Sequence, residues 1–435
     1  MDKISGFSDD ELLVKILSFL PTKVAVSTSI LSKQWRFLWM WVPKLEYDDT
    51  INCDMEKNKR MQLFIDRNLP LHRAPVIESL CLKSSCSSFQ PKYIKFWVDI
   101  AVSRCLRELS VTFYMRKLRT YALLPSSLYT CKSLVTLVLK YEIFVDVPSM
   151  VCLPSLKTLH LLGVIYADEE SLQRLLSNCS LLEDLVVKRC NSDNVRKFAV
   201  IIPSLLSFEI TDVCTSDEYV IDTPSLKYFK ARFLSKSLSC LIVNMPKLEE
   251  ADIALRGSPD VRKLLKSVSS VRRLSLFLQV KNVEDQYGDD FIFNELEHLK
   301  FRISKTYWSK LLFWLLKGSP KLRDFELSVS LFYRLRLSRK AIFVRDSRDT
   351  LVCWKQMIDV PQCLLSSLQT FKWTTYWPTE EERGLATYIL EKSCGLKTAR
   401  ILIASKLDPQ KKLEMKNELF SSCGSTTCNI NLVFN

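Results

Sequence analysis

The chain of 435 residues is 47% hydrophobic and 25% charged, the balance of a globular rather than a disordered protein, and its length suits a repeat array with end modules better than one ordinary compact core. Its 8 glycines fall far below the usual share of about 7%, which argues against phosphate-cradling loops, and neither a Walker sequence nor a dinucleotide fingerprint is present. The formal net charge of +14 would by itself permit nucleic-acid binding, so its distribution along the chain has to decide the matter.

The first predicted element starts at Ser8, which has capping-box spacing to Glu11, with Asp9 and Asp10 adding negative charge to the first turn. Leu12, Leu13, Ile16, Leu17 and Leu20 recur at helical spacing. Pro21 stops this helix, and Thr22 is placed to cap a second one carrying Val24, Ala25 and Val26. A third helix is expected from about Ser32, with Trp35, Phe37, Leu38 and Trp39, and Trp41 just beyond. Three helices of this size cannot bury that much apolar surface among themselves, and aromatic anchors are what interfaces favour. The segments Asp10-Glu11-Leu12-Leu13, Ile16-Leu17-Ser18-Phe19-Leu20-Pro21, Leu31-Ser32-Lys33, Trp35-Arg36 and Leu38-Trp39 closely resemble an F-box, although Phe7-Ser8 stands where many F-boxes have Leu-Pro. The resemblance implies that residues 1–47 bind a Skp-family adaptor and, through it, a cullin. It assigns Leu12, Leu13, Ile16, Leu17, Pro21, Leu31, Trp35, Leu38 and Trp39 to binding that adaptor or to shaping the module.

Residues 48–75 form a connecting and capping segment. From residue 77 to residue 401 one pattern then returns thirteen times, beginning Ile77-Leu80-Leu82 and Leu106-Leu109-Val111 and ending Leu368-Phe371-Trp373 and Leu396-Ala399-Ile401. Successive starts differ by 29, 28, 22, 26, 23, 21, 22, 23, 25, 26, 46 and 28 residues, which is the period of leucine-rich repeats with one insertion. The last two apolar residues of each unit alternate along a short strand and point inward, and stacked units make a parallel sheet. Prolines 154, 203, 224, 246 and 320 each lie two residues before a unit, where they are expected to stop a preceding helix and set up extended chain. Return helices are expected from Ser258-Pro259 to Leu265, from Glu170 to Leu176, and from Ser309 to Lys317, the last ended by Gly318. The shorter unit ending at Pro224 is expected to return as extended chain.

The 46-residue step contains a basic insertion at 330–353, with Arg334, Arg336, Arg339, Lys340, Arg345 and Arg348 against Asp346 and Asp349; it reads as a solvated loop, with a patch for nucleic acid or an acidic partner as the alternative. Beyond it, Trp354, Val360-Pro361-Gln362-Cys363-Leu364, Ser367 to Trp373, Glu381-Glu382-Arg383, and Tyr388 to Glu391 followed by Leu396-Lys397 resemble the FBD domain that follows F-box and leucine-rich repeats in many plant proteins. That domain would span 354–435 and contain the last repeat-like units. Thr379 and Glu382 have capping-box spacing for its helix, and Asn429 to Phe434 alternates like an edge strand. The fold expected is thus α/β: an N-terminal three-helix F-box, an irregular leucine-rich-repeat solenoid over 76–329, and a C-terminal FBD cap.

Histidines 72, 160 and 298 sit in no motif, the 15 cysteines include no CxxC pair, and the apolar stretch near Leu311–Leu316 is too short to span a membrane. The chain opens with Asp2 and Lys3 rather than a secretory signal, so reduced cysteines and a nuclear or cytoplasmic location are expected. No enzyme activity, metal or cofactor is expected. In a leucine-rich-repeat architecture the two variable positions flanking the middle apolar residue face the concave side. There the acids Glu108, Asp184, Glu209, Glu250, Asp252, Asp324 and Glu326 slightly outnumber the bases Lys230, Arg273, Lys300, Lys372 and Arg400. A groove tracking phosphates would be lined with cations, so nucleic acid ranks below a protein target. Asp184, Glu209, Tyr228, Lys230, Glu250, Asp252, Arg273 and Lys300 are the candidate target-binding residues. The resemblance implies a substrate receptor of an SCF-type ubiquitin ligase; a leucine-rich-repeat scaffold without a ligase role is the alternative.

Overall fold

Each of the thirteen apolar triplets opens a strand, and every residue of those triplets is at most 2% exposed. The computed structural model describes residues 9–49, 55–85, 90–114, 120–213, 218–234, 241–257, 261–280, 292–303, 308–329, 359–403, 409–425 and 428–434. The Phe7-Ser8 pair with its capping position, Ser258-Pro259, the basic insertion 330–353 and Trp354 lie outside the described residues. Two compact units divide the chain, Met1–Ser216 and Asp217–Asn435.

The first unit begins with α1 (Asp9–Leu17) and α2 (Thr22–Ser27). In place of the third helix expected from about Ser32 stands a 3-10 segment, Trp35–Trp41, and another, Thr28–Ile30, precedes it. Leu38, Trp39 and Met40 are all buried, and three consecutive residues cannot share one face of an α-helix. Nor does Thr22 cap α2: the N-cap is Pro21, without a side-chain bond, and the Thr22 hydroxyl accepts from the Glu46 N–H at 2.8 Å. That bond ties the helices to β1 (Lys44–Asp48), whose Val42-Leu45-Tyr47 is a further copy of the repeat triplet, buried to 2% at each position. The first unit continues with α3 (Met55–Asn68), β2 (Ser79–Ser85), α4 (Pro91–Val102), β3 (Glu108–Tyr114), β4 (Ala122–Leu123), β5 (Thr136–Tyr141), β6 (Ile143–Val145), β7 (Thr158–Leu162), β8 (Ile165–Tyr166), α5 (Ser171–Ser177), β9 (Asp184–Lys188), β10 (Lys197–Ile201) and β11 (Ser207–Asp212). The main sheet runs β1-β2-β3-β5-β7-β9-β11, all parallel, and β4-β6-β8 form a second small sheet.

The second unit comprises β12 (Glu218–Asp222), β13 (Tyr228–Phe233), β14 (Leu241–Asn244), β15 (Glu250–Gly257), α6 (Val261–Ser267), β16 (Arg273–Val280), β17 (His298–Ile303), α7 (Trp308–Lys317), β18 (Asp324–Val329), α8 (Gln362–Ser366), β19 (Thr370–Tyr376), α9 (Glu380–Lys392), β20 (Thr398–Ile403), α10 (Pro409–Ser421) and β21 (Asn429–Phe434). Its main sheet runs β13-β15-β16-β17-β18-β19-β20-β21, again parallel, and β12 pairs with β14. The extended return before Pro224 is therefore β12, and the last alternating segment is a strand at the end of the order.

The prolines do something more specific than stopping helices. The N–H of the first apolar residue bonds the carbonyl three residues back, as in Leu156 to Leu153, Leu205 to Ile202, Leu226 to Thr223, Leu248 to Met245 and Leu322 to Ser319, at 3.0 to 3.3 Å. Pro154, Pro203, Pro224, Pro246 and Pro320 each occupy the second position of that tight turn, where a φ fixed near −65° fits. Strands begin abruptly because the turn aims the chain. α5 and α7 lie where helical spacing put them, with Leu172, Leu175 and Leu176 buried on α5. Gly318 closes α7 through a 2.9 Å bond from its N–H to Trp314 O, without the left-handed conformation.

Candidate functional site

Helix α1 sorts its leucines and isoleucines by face. Leu17 is fully buried in a small core with Ala25, Leu38, Trp39, Met40 and Val42, against which Leu13, Val14, Leu20, Val26 and Trp35 pack. Leu12 and Ile16 point out of this core and are exposed, as are Pro21, Val24, Leu31, Phe37 and Trp41. Phe19 and Ile30 are 79% and 87% exposed, values at which an apolar side chain gains almost nothing from its own fold. A bond of 3.0 Å from Gln34 Nε2 to Asp10 Oδ1 braces α1 against the segment that follows Ile30 and Leu31. Residues 12–41 thus present several large apolar side chains on a short, braced frame, the mark of an interaction surface.

Of the residues singled out in the sequence, Leu17, Leu38 and Trp39 lie in the module's own core, Leu13 and Trp35 are half-buried beside it, and Leu12, Ile16, Pro21 and Leu31 are at the surface. Helical spacing could not reveal Phe19 and Ile30, because both fall where the helices end and the 3-fold turns begin.

The second surface is the half-exposed face of the sheet. In the first unit, Asp184 accepts from His160 Nε2 at 2.7 Å, and this bond, with a second from Ser207, holds its carboxyl below the usual carboxylate range. Glu209 is half-buried, level with Val186 on the neighbouring strand. In the second unit Tyr228, Lys230, Glu250, Asp252, Arg273 and Lys300 all stand on the same half-exposed face, with Lys230 level with Asp252. Their charges largely answer one another. Glu250 and Arg273 pair at 2.8 Å, Glu326 bridges Lys300 at 3.3 Å and Lys372 at 3.4 Å, and Asp324 takes His298 Nδ1 at 2.6 Å and the Thr370 hydroxyl. They border a shallow depression of about 370 Å³. Counting acids and bases along the chain missed this pairing. Opposite charges at the same position of successive units signal it, because strands lie about 4.8 Å apart.

Among the described residues no cluster of three or more His, Cys, Asp or Glu could hold a metal ion, and no helix is long and apolar enough to cross a membrane. His72, His160 and His298 are each engaged by a carbonyl or a carboxylate.

Comparison with known proteins follows the same divisions. An F-box domain model matches residues 9–47, a model of the leucine-rich repeats of the "FBD-associated F-box protein At5g56370" matches 94–259, and an FBD model matches 356–401. The chain is 58% identical over 441 residues to the Arabidopsis thaliana protein named "Putative FBD-associated F-box protein At5g56410", covering 96% of this chain and 84% of the relative. It is 54% identical over 457 residues to the "Putative F-box/FBD/LRR-repeat protein At5g62970" of the same plant, covering 98% and 99%. With the FBD-associated F-box protein At4g10400, also from Arabidopsis thaliana, it shares 48% identity over 437 residues, covering 99% and 100%. A chain that matches such relatives from end to end, and carries the helical module, the triplet strands and the C-terminal domain in their order, belongs to the plant family of FBD-associated F-box/leucine-rich-repeat proteins.

Proposed function

We propose that this F-box protein is the substrate receptor of an SCF-type cullin–RING ubiquitin ligase. Its F-box holds a Skp-family adaptor and its repeats hold a protein target. The observation that carries the reading is the set of large apolar side chains left exposed on residues 12–41, which only a partner would bury. At about 25 cal/mol per Å² of apolar surface removed from water, each such side chain, fully covered, would contribute roughly 1.5–3 kcal/mol. The protein itself does no covalent chemistry on this reading. Catalysis is proximity: a target lysine is raised to high local concentration beside a thioester formed elsewhere in the ligase.

The test separates surface from core. Ile16→Asp with Leu31→Asp changes two exposed positions, so the full chain should melt as the wild type does. Its affinity for purified plant Skp-type adaptors should fall at least about 100-fold, or roughly 2.7 kcal/mol. Leu17→Ala, in contrast, empties a fully buried site and should destabilise the module by roughly 2–5 kcal/mol. Unchanged adaptor affinity in the double variant, or no affinity in the wild type, would leave the chain as a leucine-rich-repeat scaffold without a ligase role.

A further inference from the structure

On the second unit the charged positions of the sheet face are mostly matched by neighbours of opposite sign. On the first unit, at the C-terminal ends of β5 and β9, they are not. Lys140 and Lys188 lie in register on either side of Leu162, about 10 Å apart at the usual strand spacing. Neither has an ion-pair partner among the described residues. Beside them stand two exposed tyrosines, Tyr114 and Tyr141, 40% and 43% exposed, with ring centroids 5.4 Å apart in an edge-to-face arrangement.

Tyr141 is held there against its preference. Its φ is +70°, a left-handed conformation in which a bulky side chain is an outlier. The next position in register on the neighbouring strand, Gly163, has the same φ of +70° and is the residue that conformation favours. Among the described residues, a Cβ added to Gly163 would meet Tyr141 alone, at 3.9 Å. The chain therefore keeps a large aromatic at a turn position where glycine would do, and leaves its side chain 43% exposed.

We propose that Tyr114 and Tyr141, flanked by Lys140 and Lys188, anchor the target: a short extended segment that sets an apolar side chain against the tyrosine rings and Asp or Glu carboxylates against the two ammonium groups. The proposal rests on the reading of the repeats as the target-binding part. An acidic peptide fits better than a nucleic acid. The position between the two lysines is the apolar Leu162, whereas a phosphate chain needs rows of cations.

The test uses the full chain and a displayed library of random peptides about twelve residues long. Selected sequences should carry two or more acids flanking an aliphatic or proline residue. A synthetic peptide of that consensus should bind Tyr141→Gly at least about tenfold more weakly, and Lys140→Glu with Lys188→Glu more weakly still. Lys247→Glu, at an exposed position of the second unit, should bind it as the wild type does. Because glycine suits the φ at 141, the melting temperature of Tyr141→Gly should stay within about 3 °C of the wild type. A basic or uncharged consensus, no enrichment at all, equal binding by Tyr141→Gly, or capture of an oligothymidine strand through the same four residues would each overturn the proposal. Adaptor binding measured on the same variants keeps the two readings apart, since Tyr141→Gly should leave it unchanged and its loss in the wild type would not touch the peptide result.

Discussion

His72 follows α3 and donates from Nε2–H to the Val42 carbonyl at 2.6 Å, a contact that joins the end of the F-box module to the chain leading into β2. Burial pushes its imidazole down to about 4; the carbonyl bond opposes that shift, and the nearby Arg104 guanidinium adds to it. In the unfolded chain the group titrates near 6.5. As pH falls from about 6.5 to 4, the unfolded chain takes up a proton that the folded protein refuses, so stability is full above this window and falls within it. The loss from this group approaches roughly 3 kcal/mol at pH 4. His72→Gln should flatten the fall of the melting temperature with pH between about 4 and 6.5 relative to the wild type; parallel curves would mean that the imidazole is solvated in the folded protein. Arg189 is the opposite case. It stays charged in the core because Asp193 and Asp212 each reach it at 2.9 Å. Neither arrangement was legible in the sequence: His72 sits in no motif, and Asp212 comes to Arg189 from the next unit of the repeat.

Among the elements, a strong period is a sufficient guide for most but not all: α4 buries Ile94, Trp97, Val98 and Ala101 at helical spacing, yet it was overlooked. The thirteen strands, α5 and α7 follow from residues spaced by 2.0 or 3.6. β1 was missed although its triplet is intact, because the aromatic run just before it assigned the whole segment to the helical module. The outer strands β4, β6 and β8, as short as two residues, are too brief to carry a period. The capping box at α9 was half right. Thr379 accepts from Glu382 N–H at 3.3 Å, while Glu382 reaches back past the cap to Trp377 N–H at 2.6 Å. The packing of α10 onto α9 turns on a residue with no pattern at all. The Gly424 N–H bonds Leu390 O at 3.0 Å, and a Cβ there would lie 2.3 Å from the Glu391 carbonyl oxygen. Gly424→Ala should destabilise the second unit by roughly 1–3 kcal/mol, the range for forced overpacking, with the amides of α10 losing hydrogen-exchange protection first. Protection lost evenly across both units would show that this contact is not local.

At the scale of the whole chain the question is whether ion pairs or net charge dominates its response to salt. The pairs on the sheet face are mostly exposed, with side chains between 24% and 52% accessible for Glu250–Arg273 and Lys300–Glu326–Lys372, and such pairs contribute little. The net charge of +14 repels itself in the compact state, and salt screens that repulsion. Raising NaCl from 0.05 to 0.5 M should therefore raise the melting temperature by roughly 2–4 °C; a fall would mean that the paired face matters more than its exposure suggests. The charge excess itself was legible in the sequence, but the mutual neutralisation of the face was not, because it depends on which strands become neighbours. Those neighbours follow a simple rule in each unit: a strand of the main sheet pairs with the one laid down just before it. As the polypeptide leaves the ribosome, each new coil meets an edge already formed some 25 residues earlier, and needs no distant partner still to be translated. Synthesis and assembly can then proceed in one direction at one pace, and a nascent chain paused halfway holds a shorter sheet with a single growing edge.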